Sequence, residues 1–158
     1  MWGESGILRG LGIASPLTPE VRKSELQLRR TMLSLHQISG FVTLGPMGTT
    51  VYFGQRAIDG KENKDRHAAF ATAAIISYGC TAALSILAPP PLIRRDEVST
   101  TTLHKTLAWV HFAGMIVTPI LAGMISRNAD YDKRAHIHQV SGYITTATLT
   151  LSMIVMTF

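Results

Sequence analysis

The residues of this chain whose types and spacing could support chemistry are its six histidines. They are His36, His67, His104, His111, His136 and His138. Five of them lie in segments that contain no Asp, Glu, Lys or Arg, and His104 lies at the edge of such a segment. Ionisable side chains are costly in long apolar segments and usually serve a function there. The histidines are therefore the candidate functional residues.

The distance of each histidine from the nearest flanking charge predicts a first pair. His36 lies six residues beyond Arg30, and His111 lies six residues beyond Lys105. In helices that rise about 1.5 Å per residue, both side chains would lie about 9 Å inside the last charge. We therefore predict that His36 and His111 lie at one level, on the first and third apolar segments.

A second pair is predicted at the opposite end of the helices. His67 directly follows Arg66, and His138 lies four residues beyond Arg134. These two histidines belong to the second and fourth apolar segments and would also lie near one another in depth. Each pair would then join alternate helices, and the two pairs would lie near opposite faces.

The two remaining histidines are secondary candidates. His104 precedes His111 by seven residues, which places it on nearly the same helical face two turns nearer the surface. There it would contact a haem propionate or a bound reductant, or lie in water at the interface, and the last of these is favoured. His136 lies two residues from His138, so it points elsewhere, and an interfacial position is expected.

The chemistry that suits paired imidazoles is axial ligation of haem. Two imidazoles that face each other across a bundle supply both axial ligands of a six-coordinate iron, whereas zinc needs a third or fourth ligand. The only cysteine, Cys80, cannot form an intrachain disulfide or a two-thiol metal site. A macrocycle also needs space, and a small residue follows each predicted ligand by three or four positions: Gly40, Ala71, Gly114 and Gly142. Such residues equally serve close helix packing.

Four uncharged segments must position these histidines. None of the charged residues, which are 16% of the chain, falls in 31–55, 67–93, 106–126 or 135–158. A soluble amphipathic helix carries charges on its wet face, whereas an uncharged segment of about 20 residues suits the core of a bilayer. This distribution of charged residues along the chain excludes a soluble enzyme, a nucleic-acid binder and a disordered protein. The pI of 9.7 then indicates basic loops that flank a membrane.

The predicted fold is an all-α, integral membrane four-helix bundle with an N-terminal arm. Backbone groups in lipid must be hydrogen-bonded within their own segment, which favours helices. Residues 1–30 form the arm, where Thr18 and Pro19 would begin a short basic surface helix. Residues 31–158 form the haem-binding domain, with spans at about 31–55, 67–88, 103–126 and 135–158. The A-P-P-P sequence at 88–91 would end the second span, and Pro119 would kink the third.

A short internal similarity links the first and fourth spans. The sequence H-Q-I-S-G-F-V-T at 36–43 recurs as H-Q-V-S-G-Y-I-T at 138–145, with five of eight residues identical. Because these helices would enter the membrane from opposite faces, the similarity suggests an inverted repeat with like ligands at opposite faces.

On four motifs the chain resembles the cytochrome b-561 family and related ferric-reductase-like membrane cytochromes. The motifs are L-H-Q-I-S-G (35–40), His67, L-H-K-T-L-A-W-V-H (103–111) and H-I-H-Q-V-S-G-Y (136–143). The resemblance implies transmembrane electron transfer through two b-type haems, with His36, His111, His67 and His138 as axial ligands. Eukaryotic members usually have six helices, whereas this chain contains only the four-helix core. The basic residues with which the family contacts ascorbate have no clear counterpart, so the donor and acceptor stay open.

Two functions of different kinds are compatible with the sequence. The first is an electron carrier or oxidoreductase subunit, rather than a stand-alone enzyme, with a small redox donor or quinone as a partner. The second is a non-catalytic accessory or anchor subunit of a larger respiratory or photosynthetic complex, which would contact other membrane subunits and bind haem, chlorophyll, quinone or lipid. Both predict a multi-pass protein of an energy-transducing membrane. An ion transporter ranks last, because the spans contain no acidic or basic residue apart from histidine.

Overall fold

The computed structural model describes residues 1–62, 64–92, 99–125 and 130–157. Within these ranges the chain is helical and contains no strand, so the all-α prediction is confirmed. The helices are α1 (Ile7–Gly10), α2 (Pro19–Ile58), α3 (Lys64–Ile86), α4 (Thr100–Gly123) and α5 (Tyr131–Thr157). The predicted ends of the third and fourth spans, at 126 and 158, lie outside the described residues.

Three of these helices are long and apolar enough to cross a membrane, namely α3, α4 and α5. The protein is therefore assigned to a membrane, as predicted. α2 is not among the three, because its uncharged part contains His36, Gln37 and several glycines that lower its mean hydropathy. The structure thus supports three of the four predicted spans by length and composition.

α2 begins as the sequence predicts but is much longer than expected. The Thr18 hydroxyl accepts a hydrogen bond from the Val21 amide at 3.2 Å, and Pro19 occupies the first helical position. The helix then continues for 40 residues, about 60 Å, so the predicted surface helix and first span are one element. The predicted boundary at residue 30 therefore lies inside a helix. Gly60, at φ +69°, allows the turn that follows.

The proline signals predicted for α3 and α4 have different effects. α3 ends at Ile86, before the prolines at 89–91. Pro119 lies inside α4, which continues beyond it to Gly123. The helix is therefore not terminated at this proline.

The N-terminal arm packs against its own chain. The Trp2 indole donates to the Leu87 carbonyl at 2.8 Å. Arg22 donates to the Pro90 carbonyl at 2.8 Å, and Arg29 donates to the Pro89 carbonyl at 2.7 Å. The proline segment after α3 thus supplies the acceptors that hold the arm and the first turns of α2.

A buried ion-pair network completes this attachment. Glu25 is only 5% exposed and accepts hydrogen bonds from Arg9 and, at 3.0 Å, from Arg22. Removal of one charge from a buried pair leaves the other uncompensated, which commonly costs about 3–5 kcal/mol. Glu25 is therefore the residue on which the position of α1 most depends.

We expect Glu25→Gln to release the arm from α2, because Arg9 and Arg22 would lose their common counter-charge. Limited trypsin digestion should then cut after Arg9 much faster than in the unmodified chain. Glu20→Gln, at an exposed position of the same helix, is the matched control and should leave the cleavage rate unchanged. Equal cleavage rates in Glu25→Gln and the unmodified protein would contradict the assignment.

The helices pack as two hairpins joined along one seam. α2 packs against α3, α4 packs against α5, and a smaller contact joins α2 to α5. The buried apolar core contains Met47, Ala74, Tyr78 and Leu149, which come from α2, α3 and α5. Among the described residues, the seam between α3 and α4 is the most weakly packed of the four.

Candidate functional site: two histidine pairs

The structure brings four histidines together as two pairs, each across a diagonal of the bundle. The rings of His36 on α2 and His104 on α4 have centroids 6.1 Å apart and are nearly perpendicular, at 87°. The rings of His67 on α3 and His138 on α5 lie 5.9 Å apart at 88°. Alternate helices therefore supply each pair.

All four paired histidines contact a backbone carbonyl of the neighbouring helix through Nδ1. The contacts join His36 to Thr81 at 2.8 Å, His67 to Thr50 at 2.9 Å, His104 to Ser152 at 3.2 Å and His138 to Thr118 at 3.0 Å. Because a carbonyl can only accept, these contacts assign the proton to Nδ1 and leave the Nε2 lone pair free. A metal-bound histidine commonly makes such a second bond, which fixes its tautomer and orientation.

The histidine and the carbonyl on each helix repeat one spacing. They are 14 residues apart in every case: His36 and Thr50 on α2, His67 and Thr81 on α3, His104 and Thr118 on α4, and His138 and Ser152 on α5. Fourteen residues make almost four helical turns, so both positions lie on one face and about 21 Å apart along the axis. Each of the four helices α2 to α5 therefore contributes a histidine to one level and a carbonyl to the other.

The same contacts reveal a parallel internal repeat. An offset of 68 residues relates His36 to His104 and Thr50 to Thr118, and an offset of 71 relates His67 to His138 and Thr81 to Ser152. The α2–α3 hairpin thus corresponds to the α4–α5 hairpin. The similarity between 36–43 and 138–145, which suggested an inverted repeat, relates α2 to α5 instead and does not describe this hydrogen-bond pattern.

His111 does not pair with His36 as the sequence predicted. It is 7% exposed, its Nδ1 lies 2.8 Å from the hydroxyl of Tyr78, and the two rings are 5.5 Å apart. The prediction treated Lys105 as the end of the span, but Lys105 is exposed on α4 while the adjacent His104 reaches into the bundle. A flexible lysine can extend its ammonium away from the bundle, so its position is a poor measure of depth.

The predicted small residues have different surroundings. A Cβ on Gly40 would lie 2.8 Å from Met153 Sδ, and a Cβ on Gly114 would overlap Thr145. Close helix contact therefore accounts for these two glycines. A Cβ on Gly142 would meet only Thr118, at 3.8 Å, and Ala71 is half-buried.

His136 is exposed on α5, and its expected interfacial position stays a prediction. His104, expected to lie in water, is instead half-buried beside His36, and Ser152 contacts its Nδ1 through both the carbonyl and the hydroxyl. The two secondary candidates therefore differ: His104 belongs to a pair, and His136 lies outside the bundle.

Gly54 is a site residue that sequence reasoning missed. A Cβ at this position would lie 2.9 Å from Nδ1 of His67, the atom that contacts the Thr50 carbonyl. The available signal was its spacing, because Gly54 lies one turn beyond Thr50 on the same helical face. That signal acquires meaning only when the contact between Thr50 and His67 is known.

We expect Gly54→Ala to displace His67 from Thr50, since the added methyl group needs the space of the imidazole, at an overpacking cost of about 1–3 kcal/mol. The NMR signal of the His67 Nδ1–H, observed with ¹⁵N-labelled histidine, should lose its hydrogen-bonded shift. Gly48→Ala is the matched control, because nothing lies within 4 Å of its Cβ position on the same helix. An unaltered His67 signal in Gly54→Ala would refute the close approach.

The donor set of each pair fits haem. In the part of the chain that the structure describes, no three His, Cys, Asp or Glu side chains are grouped to hold a metal ion. Metal–imidazole bonds of roughly 2 Å place the centroids of two opposed ligand rings roughly 6 Å apart, close to the 6.1 and 5.9 Å observed. Haem brings its own four nitrogens and needs only the two axial ligands that each pair offers.

Comparisons of the chain with protein-family models, curated proteins and solved structures found no match. A functional assignment therefore depends on the geometry of the histidine pairs.

Proposed function

We propose that the protein is a transmembrane b-type cytochrome that passes electrons across the membrane through two bis-histidine haems. His36 and His104 would hold one haem, and His67 and His138 the other. This set keeps three of the four ligands predicted from the sequence and replaces His111 with His104. The protein would act as an electron carrier, or as an electron-carrying subunit, in an energy-transducing membrane.

One observation carries this proposal: in both diagonal pairs, every imidazole makes the same kind of contact to a neighbouring helix. Each Nδ1 is directed to a backbone carbonyl, so each Nε2 is left as a donor atom. A structural histidine has no need to match a second one in spacing, tautomer and acceptor. Four matching histidines at two levels are what a pair of axially ligated macrocycles requires.

The proposal makes α2 the fourth membrane helix. α2 supplies His36 to one level and the Thr50 carbonyl to the other, and it packs against both α3 and α5. A polar side chain of α2 faces the interior of the bundle: Thr43 is 0% exposed, and its hydroxyl lies 3.2 Å from that of Thr81. The lower hydropathy of α2 is therefore compatible with a span whose polar residues face other helices.

The residues of this chain would bind and orient the haems. The carbonyl bonds hold each imidazole in one tautomer and strengthen Nε2 as a ligand. The four paired histidines are half-buried among the helices, which would limit side reactions of the haems with water. Haem supplies the reversible one-electron chemistry of its iron. The two histidine levels lie about 21 Å apart along the helix axes. Because each conjugated macrocycle is large, the distance between the edges of the two haems would be shorter than the distance between the levels.

Spectroscopy of the protein from its native membranes tests the proposal. The purified chain should show a b-type reduced-minus-oxidised difference spectrum, and a haem assay should give two haems per chain. Absence of b-type absorption would refute the proposal. A chain that carries chlorophyll instead, in a larger complex, would favour the accessory-subunit function.

A further inference from the structure

The N-terminal segment, residues 1–17, presents apolar side chains that its packing against α2 does not cover. Ile7 and Leu11 are each 68% exposed, and Ile13 is 70% exposed. Single exposed apolar residues are common on protein surfaces, but several that follow one another in a short segment mark a contact surface. The N-terminal segment therefore has a partner other than water.

The two faces of α1 have opposite characters. The Arg9 side chain is 6% exposed and is directed at α2, where it donates to Glu25. Ile7 and Leu11 are one helical turn apart, so they share a face, and Arg9 lies on the other side of the turn. Apart from Arg9, the only charged residue of the N-terminal segment is Glu4. α1 is therefore attached to the protein by its charge and presents its apolar face to the surroundings.

The N-terminal segment lies at the level where α3 ends. α3 is a candidate span of 23 residues and is about 35 Å long, against a hydrocarbon core of about 30 Å. The Trp2 indole donates to the Leu87 carbonyl at 2.8 Å, one residue beyond the end of α3. Tryptophan is enriched at this boundary because its ring is apolar and its N–H is polar. The segment therefore lies beside the edge of the hydrocarbon core.

The apolar surface of the segment is continuous with the lipid-facing surface of the bundle. Ile86 and Leu87, at the end of the α3 span, are 57% and 48% exposed, and the Leu87 carbonyl holds Trp2. From this point the segment follows the first turns of α2 as far as Glu25. An apolar surface that joins lipid-facing residues at the edge of the hydrocarbon core has lipid beside it. This continuity favours the bilayer as the partner over a protein.

We propose that the N-terminal segment is an interfacial anchor, in which Ile7, Leu11 and Ile13 insert among the acyl chains just below the lipid headgroups. Amphipathic surface segments reach about 5–10 Å into this boundary. The ion pair of Arg9 with Glu25 ties the anchor to α2, which is not among the three candidate spans. The anchor thus adds apolar contact with lipid at one end of the least apolar of the long helices.

Lipid photolabelling tests the position of the segment. The full chain is placed in phosphatidylcholine nanodiscs in which a small share of the lipid carries a diazirine near the carboxyl end of one acyl chain. After irradiation, mass spectrometry should find lipid attached to the peptide that contains residues 7–13. The exposed turn at 59–61, beyond the other end of α2, is the control region and should carry much less. Equal labelling of the two regions would overturn the inference.

Two cysteine variants, each made in a Cys80→Ala background, give a matched comparison. Leu11 and Glu20 are both exposed, but Glu20 lies five residues, about 7.5 Å, further along α2 from the bundle than Glu25. In the same nanodiscs, a charged maleimide should alkylate Leu11→Cys about tenfold more slowly than Glu20→Cys, because apolar surroundings disfavour the reactive thiolate. Equal alkylation rates would contradict the insertion of this segment into the bilayer.

The two measurements together separate lipid from protein as the partner. Slow alkylation of Leu11→Cys without lipid attached to residues 7–13 would assign the apolar surface to a protein neighbour and would overturn the inference. Neither measurement uses haem. The b-type spectrum of the same sample therefore tests the proposed function separately, and either proposal can fail without the other.

Discussion

His36→Ala and His104→Ala should each lose the same haem, and with it about half of the b-type absorption, because a six-coordinate haem iron needs both axial ligands. His67→Ala and His138→Ala should each lose the other haem. Within a pair, the double variant should lose no more than either single variant. The measurements are the haem content and the redox titration of each purified variant.

Two further histidines serve as controls for the ligand assignment. His136→Ala should retain both haems, since His136 is exposed. His111→Gln should also retain both, because Tyr78 and not His36 is the observed partner of His111. If His111→Gln and His36→Ala instead lost the same haem while His104→Ala kept it, the pairing predicted from depth would be right and the pairing in the structure would be wrong.

Gly114→Ala should destabilise the α4–α5 hairpin more than any other glycine-to-alanine change in these two helices. Its Cβ would overlap Oγ1 of Thr145, a side chain that is 2% exposed and donates to the Ser141 carbonyl at 2.7 Å. The helices would have to separate or Thr145 would have to leave this bond. Overpacking of this kind costs about 1–3 kcal/mol, more than the roughly 1 kcal/mol of helix propensity that alanine gains over glycine.

Unfolding of the purified protein in mixed micelles with increasing SDS measures this effect. The midpoint for Gly114→Ala should fall to a lower SDS fraction. Gly123→Ala, in the same helix but with nothing within 4 Å of its Cβ position, is the matched control and should leave the midpoint unchanged or raise it. Equal midpoints for the two variants would show that the Gly114–Thr145 contact does not limit the packing.

The membrane segments could be predicted from sequence because the signal is local. Absence of charge over 67–93, 106–126 and 135–158 anticipated α3, α4 and α5, and Thr18 with Pro19 anticipated the start of α2. The length of α2 was not anticipated. Its basic first turns differ in composition from the apolar part that follows, although no residue between them breaks the helix. Composition changes at residue 30, whereas backbone conformation does not.

The partner of His36 illustrates where sequence reasoning failed. Depth was measured from the last charged residue, and Lys105 therefore favoured His111 over His104. That measure assumes that a charged side chain marks the edge of the span, but a side chain on the outer face of a helix carries no information about its inner face. Gly54 was missed for a related reason, since its importance depends on a histidine from a different helix.

The sequence by itself determined that the chain is helical, that it contains segments long and apolar enough to cross a membrane, and that its histidines are the candidate functional residues. These properties depend on composition and on spacing along one helix, which the linear order of residues records directly. Only the tertiary structure decided that His36 lies beside His104 and that each paired Nδ1 contacts a backbone carbonyl. Those outcomes depend on the rotation of each helix about its axis, which is set by contacts between side chains far apart in the chain.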